Sequence, residues 1–242
     1  MSRQYLGSMQ KLLAALRFYS PVPLVLLCSC NALSGWDTKH PVDPKNPITL
    51  QLAIAVAVLS IQEGEAAHGY LYLLMYFAKL RHSEAVQVTS SSLFPPGYLD
   101  QQGVTTSFAS ILLPRTKTGP NKVALVKDPL GIKVLCRLKT LLSNHSTWPS
   151  VWTFNSALAR RVRLLGLDLN LTSHCFRRGS AVADYMNGVP IRTIMEDGRW
   201  ASQRSLRRYL EISRFLIVRY PQCTHPVFLA ARATPLRMLQ LG

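Results

Sequence analysis

Between residues 173 and 209 the chain reads SHCFRRGSAVADYMNGVPIRTIMEDGRWASQRSLRRY, a stretch that holds an imidazole, several guanidinium groups, an indole and a phenol. His174 and Arg177 are three residues apart near an expected helix start, so their side chains share one face. The free backbone N–H groups of such a start favour a phosphate. A guanidinium group adds a planar fork that matches two phosphate oxygens. The phenol of Tyr209 becomes a nucleophile once it loses its proton. A free tyrosine titrates near ~10, so attack at neutral pH requires about 4 kcal/mol of preferential stabilisation of the phenolate. Nearby arginines and a histidine proton acceptor are the groups that supply it. The chemistry these residue types offer together is phosphoryl transfer, with cations offsetting the charge of a five-coordinate phosphorus.

Helices must position these groups. Ser173 is expected to cap a helix that runs through Met186 and stops near Gly188. Pro190 suits the first turn of a following helix that ends near Gly198. Ser202 then caps a last strong helix, Gln203–Val218. Upstream, Thr49 is expected to cap an apolar helix through Ile61, followed by helices over Tyr70–Leu80, Leu130–Leu142 and Ser156–Leu165. In the last of these Leu158, Val162 and Leu165 form the apolar side, with Arg160, Arg161 and Arg163 elsewhere. Pro95, Pro96 and Gly97 mark a turn within Leu93–Asp100. Ser107–Pro114 and Lys122–Val126 read as two strands of a hairpin with a long tip, Arg115–Asn121. A short helix is expected around Met9–Arg17. Pro41, Pro44 and Pro47 mark a linker and place a boundary at residue 47. The expected class is α+β: mainly helical, with a small antiparallel sheet or hairpin. Residues 1–47 form an N-terminal piece, 48–220 the main domain and 221–242 a tail.

Bulk composition narrows the partners. Nearly half of the 242 residues are apolar and 17% are charged, which excludes a disordered chain. The net charge is +16, and residues 115–242 hold 21 of the 28 Lys/Arg but 6 of the 12 Asp/Glu, a surplus of 15. That asymmetry fits a polyanion such as nucleic acid. The longest apolar run, Leu50–Ile61, is too short to cross a bilayer, and Pro21 and Pro23 interrupt the only stretch that imitates a signal peptide. A nuclear or cytoplasmic protein is expected, neither secreted nor membrane-bound. The odd set Cys28, Cys30, Cys136, Cys175 and Cys223 matches neither a disulfide framework nor a zinc pattern. No metal and no cofactor are expected.

The ordered set His174, Arg177, Trp200 and Tyr209 resembles the signature of the tyrosine recombinases, also called the phage integrase family. That signature is His-x-x-Arg, a His or Trp, then Tyr nine residues on. The wording HCFRRGSA and GRWAS resembles the recombinases of eukaryotic mobile elements. The resemblance covers roughly residues 48–220. It assigns an earlier arginine and its supporting acid to Arg81 and Glu84 in YFAKLRHSEAVQV. It assigns the hairpin lysine, the acid that protonates the leaving 5′ oxygen, to Lys117 in PRTKTGPNKVAL. Arg115 and Lys122 compete for that role. Trp200 stands where many relatives have His and replaces proton transfer by an N–H donor. The implied activity is cleavage and rejoining of double-stranded DNA through a phosphotyrosine link, serving recombination or DNA integration of a mobile element such as a transposon. The implied assembly is a dimer or tetramer on DNA. Arg115, Arg178, Arg204, Arg207 and Arg208 are expected backbone contacts. Relatives carry a helical core-binding domain before the catalytic one, so the chain reads as a fragment, a decayed copy or a minimal enzyme. The competing readings are a DNA-binding remnant that does not cut, and a type IB topoisomerase-like nicking and closing activity.

Overall fold

Two apolar helices make the centre of the molecule because neither has a polar face. In α1 (Leu50–Gln62) every residue from Leu52 to Val58 is buried, and in α2 (Ala66–Phe77) every residue from Gly69 to Tyr76 is. A helix that is apolar all round must be enclosed by others. At 13 residues α1 spans about 20 Å, short of a bilayer. Among the described residues no helix is long and apolar enough to cross a membrane. The structure, a computed structural model, describes residues 46–97, 106–117, 119–142, 148–207, 210, 224–234, 237 and 239. All belong to one unit, Lys45–Gly242.

After α2 come the short helix α3 (His82–Ala85), a 3-10 turn at Ser90–Ser92 and three strands: β1 (Leu93–Phe94), β2 (Ala109–Thr116) and β3 (Gly119–Val126). They form one antiparallel sheet in the order β1-β2-β3. Four helices follow: α4 (Pro129–Leu141), α5 (Val151–Leu164), α6 (His174–Met186) and α7 (Ile191–Gly198). Residues 203–207 are helical, and α8 (Pro226–Ala233) closes the series. The class is α+β, mostly helical with a small sheet, as the sequence implied.

Packing follows the apolar pattern. α1 lies against α2 and α8, and α2 against α4 and α6. α8 is held by buried Ala231, and beyond it the hydroxyl of Tyr70 donates to the carbonyl of Leu239 at 2.8 Å. α6 approaches the start of α1 at Gly179, where an added Cβ would lie 1.8 Å from the carbonyl oxygen of Ile48. Only glycine permits that approach. A smaller cluster of Ala181, Val182, Ile194, Leu206 and Leu210 ties α6, α7 and the residues after Trp200 together.

Local caps explain most helix starts and two departures from expectation. Thr49 accepts from the N–H of Leu52 and starts α1 as expected. Ser150 accepts from Thr153 and starts α5 several residues before the expected Ser156. Ser173 does not cap α6 with its side chain; it is itself helical in backbone, and its N–H donates to Oδ1 of Asn155 at 2.8 Å. The hairpin also differs from the expected long-tipped form. Pairing continues to Thr116 opposite Gly119, leaving a tight tip at Lys117. The strands tolerate Pro114 and Pro120 because β1 reaches only Ile111 on one side and β3 is an edge. Arg161, expected off the apolar side of its helix, is fully buried. The expected helix around Met9–Arg17 lies outside the described residues, as do 208–209 and 211–218 of the last helix.

Candidate active site

The turn after α2 is where the site begins. Lys79 takes a left-handed conformation (φ 51°) and its ammonium pairs with Asp184 at 2.7 Å, both features fixing the turn. Leu80 is buried, and Arg81 then enters as the N-cap of α3. The third residue of that helix, Glu84, has no solvent exposure. Its Oε2 accepts the Arg81 backbone N–H at 2.9 Å, and its Oε1 accepts Nη1 of the Arg81 side chain at 2.5 Å. The Arg-x-x-Glu spacing therefore lets the Glu84 carboxylate take up the free N–H at the helix start and orient the guanidinium group at once.

Glu84 holds more than Arg81. Nη2 of Arg199 reaches its Oε2 at 3.0 Å, and Nη1 of Arg177 lies 3.9 Å from the same oxygen. Burial pushes the Glu84 carboxyl upward, but the Arg81 N–H, the Arg199 charge and the Arg81 side chain outweigh it, so it titrates below the usual carboxylate range. It is ionised at neutral pH, one carboxylate among three guanidinium groups.

Arg177 points from α6 into this centre and is almost wholly buried. It donates through Nη1 to the carbonyl of Lys79 and through Nη2 to that of Gly198. Its guanidinium carbon stands 4.1 Å from the centre of the Trp200 ring, a cation–π stack. Gly198 makes room for that ring, since a Cβ there would sit 1.6 Å from Trp200 Cζ3. His174 is the first residue of α6 and is exposed at the cleft wall. Desolvation by the atoms around it, then the charges of Arg178, Arg177 and Arg81, hold its imidazole below the ordinary 6.5. It is neutral at pH 7 and able to accept a proton.

A cleft of about 990 Å³ runs past these groups, lined by Arg81, Lys117, His174, Arg177, Arg178 and Trp200 together with His82, Asn155 and Ser205. Five of the six expected catalytic positions thus share one concavity, delivered by the α2–α3 turn, the hairpin tip, α6 and the segment after α7. Lys117 is exposed at the tip. Tyr209 and Arg208 lie outside the described residues. Of the expected backbone contacts, Arg178 lines the cleft, whereas Arg204 and Arg207 are exposed on the helical stretch 203–207. Arg115 is not part of the lining. Its main chain exchanges two hydrogen bonds with the Gln87 side chain instead, at 3.1 and 3.0 Å. Among the described residues no group of three or more His, Cys, Asp or Glu could hold a metal ion.

Sequence reasoning missed three participants. Arg199 bonds Glu84 from the far side; its place beside Trp200 was the available signal. Asn155 braces the start of α6 from α5. His82 lines the cleft and sets its ring edge-on to Phe154 at 5.0 Å; its Nε2 is buried and has no hydrogen-bond partner among the described residues. Burial lowers its pKa, against a bond with the backbone of Pro149.

No family model matches the chain, and no curated protein matches it. Solved structures do. The XerH site-specific recombinase bound to palindromic difH substrate, a post-cleavage complex, aligns with a TM-score of 0.52 at 14% identity over 71% of this chain and 51% of that one. Its pre-cleavage complex with difH substrate aligns at 0.51 and 16% identity, over 68% of this chain and 50% of that one. The XerA recombinase aligns at 0.50 and 16%, over 75% and 67%. The chain spans about half the length of the XerH chains it matches. At these identities the likeness establishes a shared fold.

Proposed function

We propose that this chain is the catalytic domain of a tyrosine recombinase, and that it cleaves and rejoins double-stranded DNA through a covalent bond between Tyr209 and phosphorus. The observation that carries the reading is the convergence of Arg81, Lys117, His174, Arg177 and Trp200 on one cleft, in the chain order the signature requires. The fold shared with XerH and XerA supports it, as does the surplus of basic residues in 115–242.

The chemistry runs as one exchange of phosphorus–oxygen bonds. The scissile phosphate enters between Arg81 and Arg177, whose charges offset the growing negative charge on its equatorial oxygens. Neutral His174 accepts the phenolic proton of Tyr209. The phenolate forms a bond to phosphorus, and the bond to the 5′ oxygen breaks. Lys117 protonates that departing oxygen. A 3′-phosphotyrosine and a free 5′-hydroxyl remain. Religation reverses each transfer: the 5′-hydroxyl attacks, Tyr209 leaves, and no nucleotide cofactor is consumed because the link conserves one phosphodiester-like bond. Trp200 stacks on Arg177 and holds its plane. The biological setting we assign is recombination or integration of a mobile element, with copies of the chain assembling on paired DNA sites.

The test is a nicked suicide duplex from which the short fragment bearing the free 5′-hydroxyl diffuses away. Wild-type protein is expected to leave a covalent adduct on a denaturing gel, and Tyr209→Phe none. DNA binding without adduct in either protein would leave a binding remnant. Relaxation of supercoiled plasmid without site preference would instead favour the topoisomerase-like activity.

A further inference from the structure

Arg199 occupies a backbone conformation that suits glycine. Its φ is 57°, in the left-handed region that residues with a Cβ rarely adopt. Its side chain is also only 8% exposed, although it is charged. Strain and buried charge both cost stability, so the interactions made there must offset them. Nη2 donates to Glu84 Oε2 at 3.0 Å and to the Lys79 carbonyl at 3.2 Å. Nη1 donates to the carbonyl of Asp197 at 3.1 Å and lies 3.4 Å from that of Ala78. Among the described residues its buried Nε has no hydrogen-bond partner.

These partners are shared with the two arginines of the cleft. Glu84 accepts from Arg81 as well as from Arg199. The Lys79 carbonyl accepts from Arg177 as well as from Arg199. Among the described residues Arg199 is not part of the cleft lining; with Met195, Glu196 and Gln203 it borders a second hollow of about 550 Å³, and Trp200 lines both. Its influence on a phosphate in the cleft would therefore run through the groups it holds.

We propose that Arg199 is a positioning residue. By gripping Glu84 and the Lys79 carbonyl it sets the orientation in which Arg81 and Arg177 meet a phosphate. Its effect on strand cleavage rests on the function proposed above; its effect on phosphate binding does not. A merely structural Arg199 would change stability alone.

The experiment compares Arg199→Gly and Arg199→Lys with wild type. Glycine accepts the left-handed backbone, so that variant keeps the turn. Two quantities are measured below the unfolding temperature: single-turnover cleavage of the suicide duplex at saturating DNA, and the Kd for inorganic phosphate followed by ³¹P NMR. Arg199→Gly should cleave ~100-fold more slowly, the loss that a displacement near 1 Å of an orienting group produces. It should also bind phosphate more weakly, with the Kd for duplex little changed. Arg199→Lys, which restores charge without the fork, should recover part of both. In a Glu84→Gln background Arg199→Gly should add little further loss, because coupled residues are not additive. Wild-type rate and phosphate affinity in Arg199→Gly would overturn the inference, and so would losses that multiply independently of Glu84. If the wild type forms no adduct while phosphate affinity still depends on Arg199, the strand-cleavage reading falls and the positioning role stands.

Discussion

Two clusters of arginine and glutamate in the same unit, one built on buried Arg161 and the other on buried Glu84, differ in charge ratio. Around Arg161, two carboxylates face two guanidinium groups. Arg161 Nε meets Glu63 at 2.9 Å and its Nη2 meets Glu65, while Arg160 meets both oxygens of Glu63 at 2.5 and 2.7 Å. Nη1 of Arg161 adds a bond to the Tyr72 hydroxyl at 2.8 Å. Around Glu84, one carboxylate faces Arg81, Arg177 and Arg199, with His174 and Lys117 along the same cleft. The first cluster is balanced and complete, and it fastens α5 to α1 and α2. The second carries positive charge that its own carboxylate does not cancel. A fold tolerates that surplus where an anion is to be bound. Charge ratio thus separates the two clusters, and under the proposed function the surplus is what a phosphate would meet.

The sharpest way to break the comparison is to truncate one arginine from each cluster. Arg177→Ala should lower single-turnover cleavage ~1,000-fold, about 4 kcal/mol of transition-state stabilisation, with a modest change in DNA affinity. Unchanged cleavage would remove Arg177 from the site. Arg161→Leu should do the reverse. It should cost about 3 kcal/mol in urea unfolding, at the low end for a broken buried pair because Glu63 and Glu65 keep some exposure. Its cleavage rate below the unfolding midpoint should match wild type. If instead the rate falls and stability does not, the two clusters have been assigned the wrong way round.

Smaller effects sharpen the picture. Lys117→Ala should slow cleavage ~100-fold, the loss of one general acid, and a substrate with a better 5′ leaving group should restore it. No recovery would move the role to Arg115 or Lys122. If His174 is the proton acceptor it must be neutral, and since its pKa is lowered the acid limb of the rate should be centred below 6.5. A limb centred at or above 6.5 would contradict the assignment. The smallest effect is on stability in acid. The folded-state pKa values of Glu63 and Glu65 are depressed: for Glu63 hydrogen bonding to Arg160 leads, and for Glu65 the bonds to Arg161 and His68 overcome its desolvation. Groups depressed on folding stabilise above the ordinary 4.5, and that contribution is lost as pH falls through the lowered values. Urea midpoints measured between pH 5 and 3 should fall in wild type and flatten in Arg161→Leu.

Legibility varied with the range of the interaction involved. The helix starting at Thr49, the helix from His174 to Met186 and the hairpin were readable because caps, apolar period and turn residues are local signals. The pairing of Arg81 with Glu84 is local too, since it spans three residues. The early start of α5 at Ser150 was missed although Phe154 continues the apolar side one turn before Leu158, because the neighbouring Val151 and Trp152, apolar yet exposed, blur the period there. The tight tip at Lys117 was missed because the first strand was ended at Pro114 and Gly119 and Pro120 were read as part of the tip. The tolerance of both prolines depends on which neighbour strand reaches them. Arg161 looked like a surface residue because its burial depends on Glu63 and Glu65, nearly a hundred positions away.

What the sequence by itself determined is the inventory and its order: which groups can transfer a phosphoryl group, that they recur along the chain as Arg, Lys, His-x-x-Arg, Trp and Tyr, and that the domain is helical with one small sheet. Tertiary structure decided which of them meet. It buried Glu84 among three guanidinium groups, stacked Trp200 on Arg177 and brought in Arg199 from the turn after α7. The physical reason is that a charge can be buried only if partners arrive to compensate it, and partners drawn from residues 79, 84, 177 and 199 are neighbours only after the chain has folded.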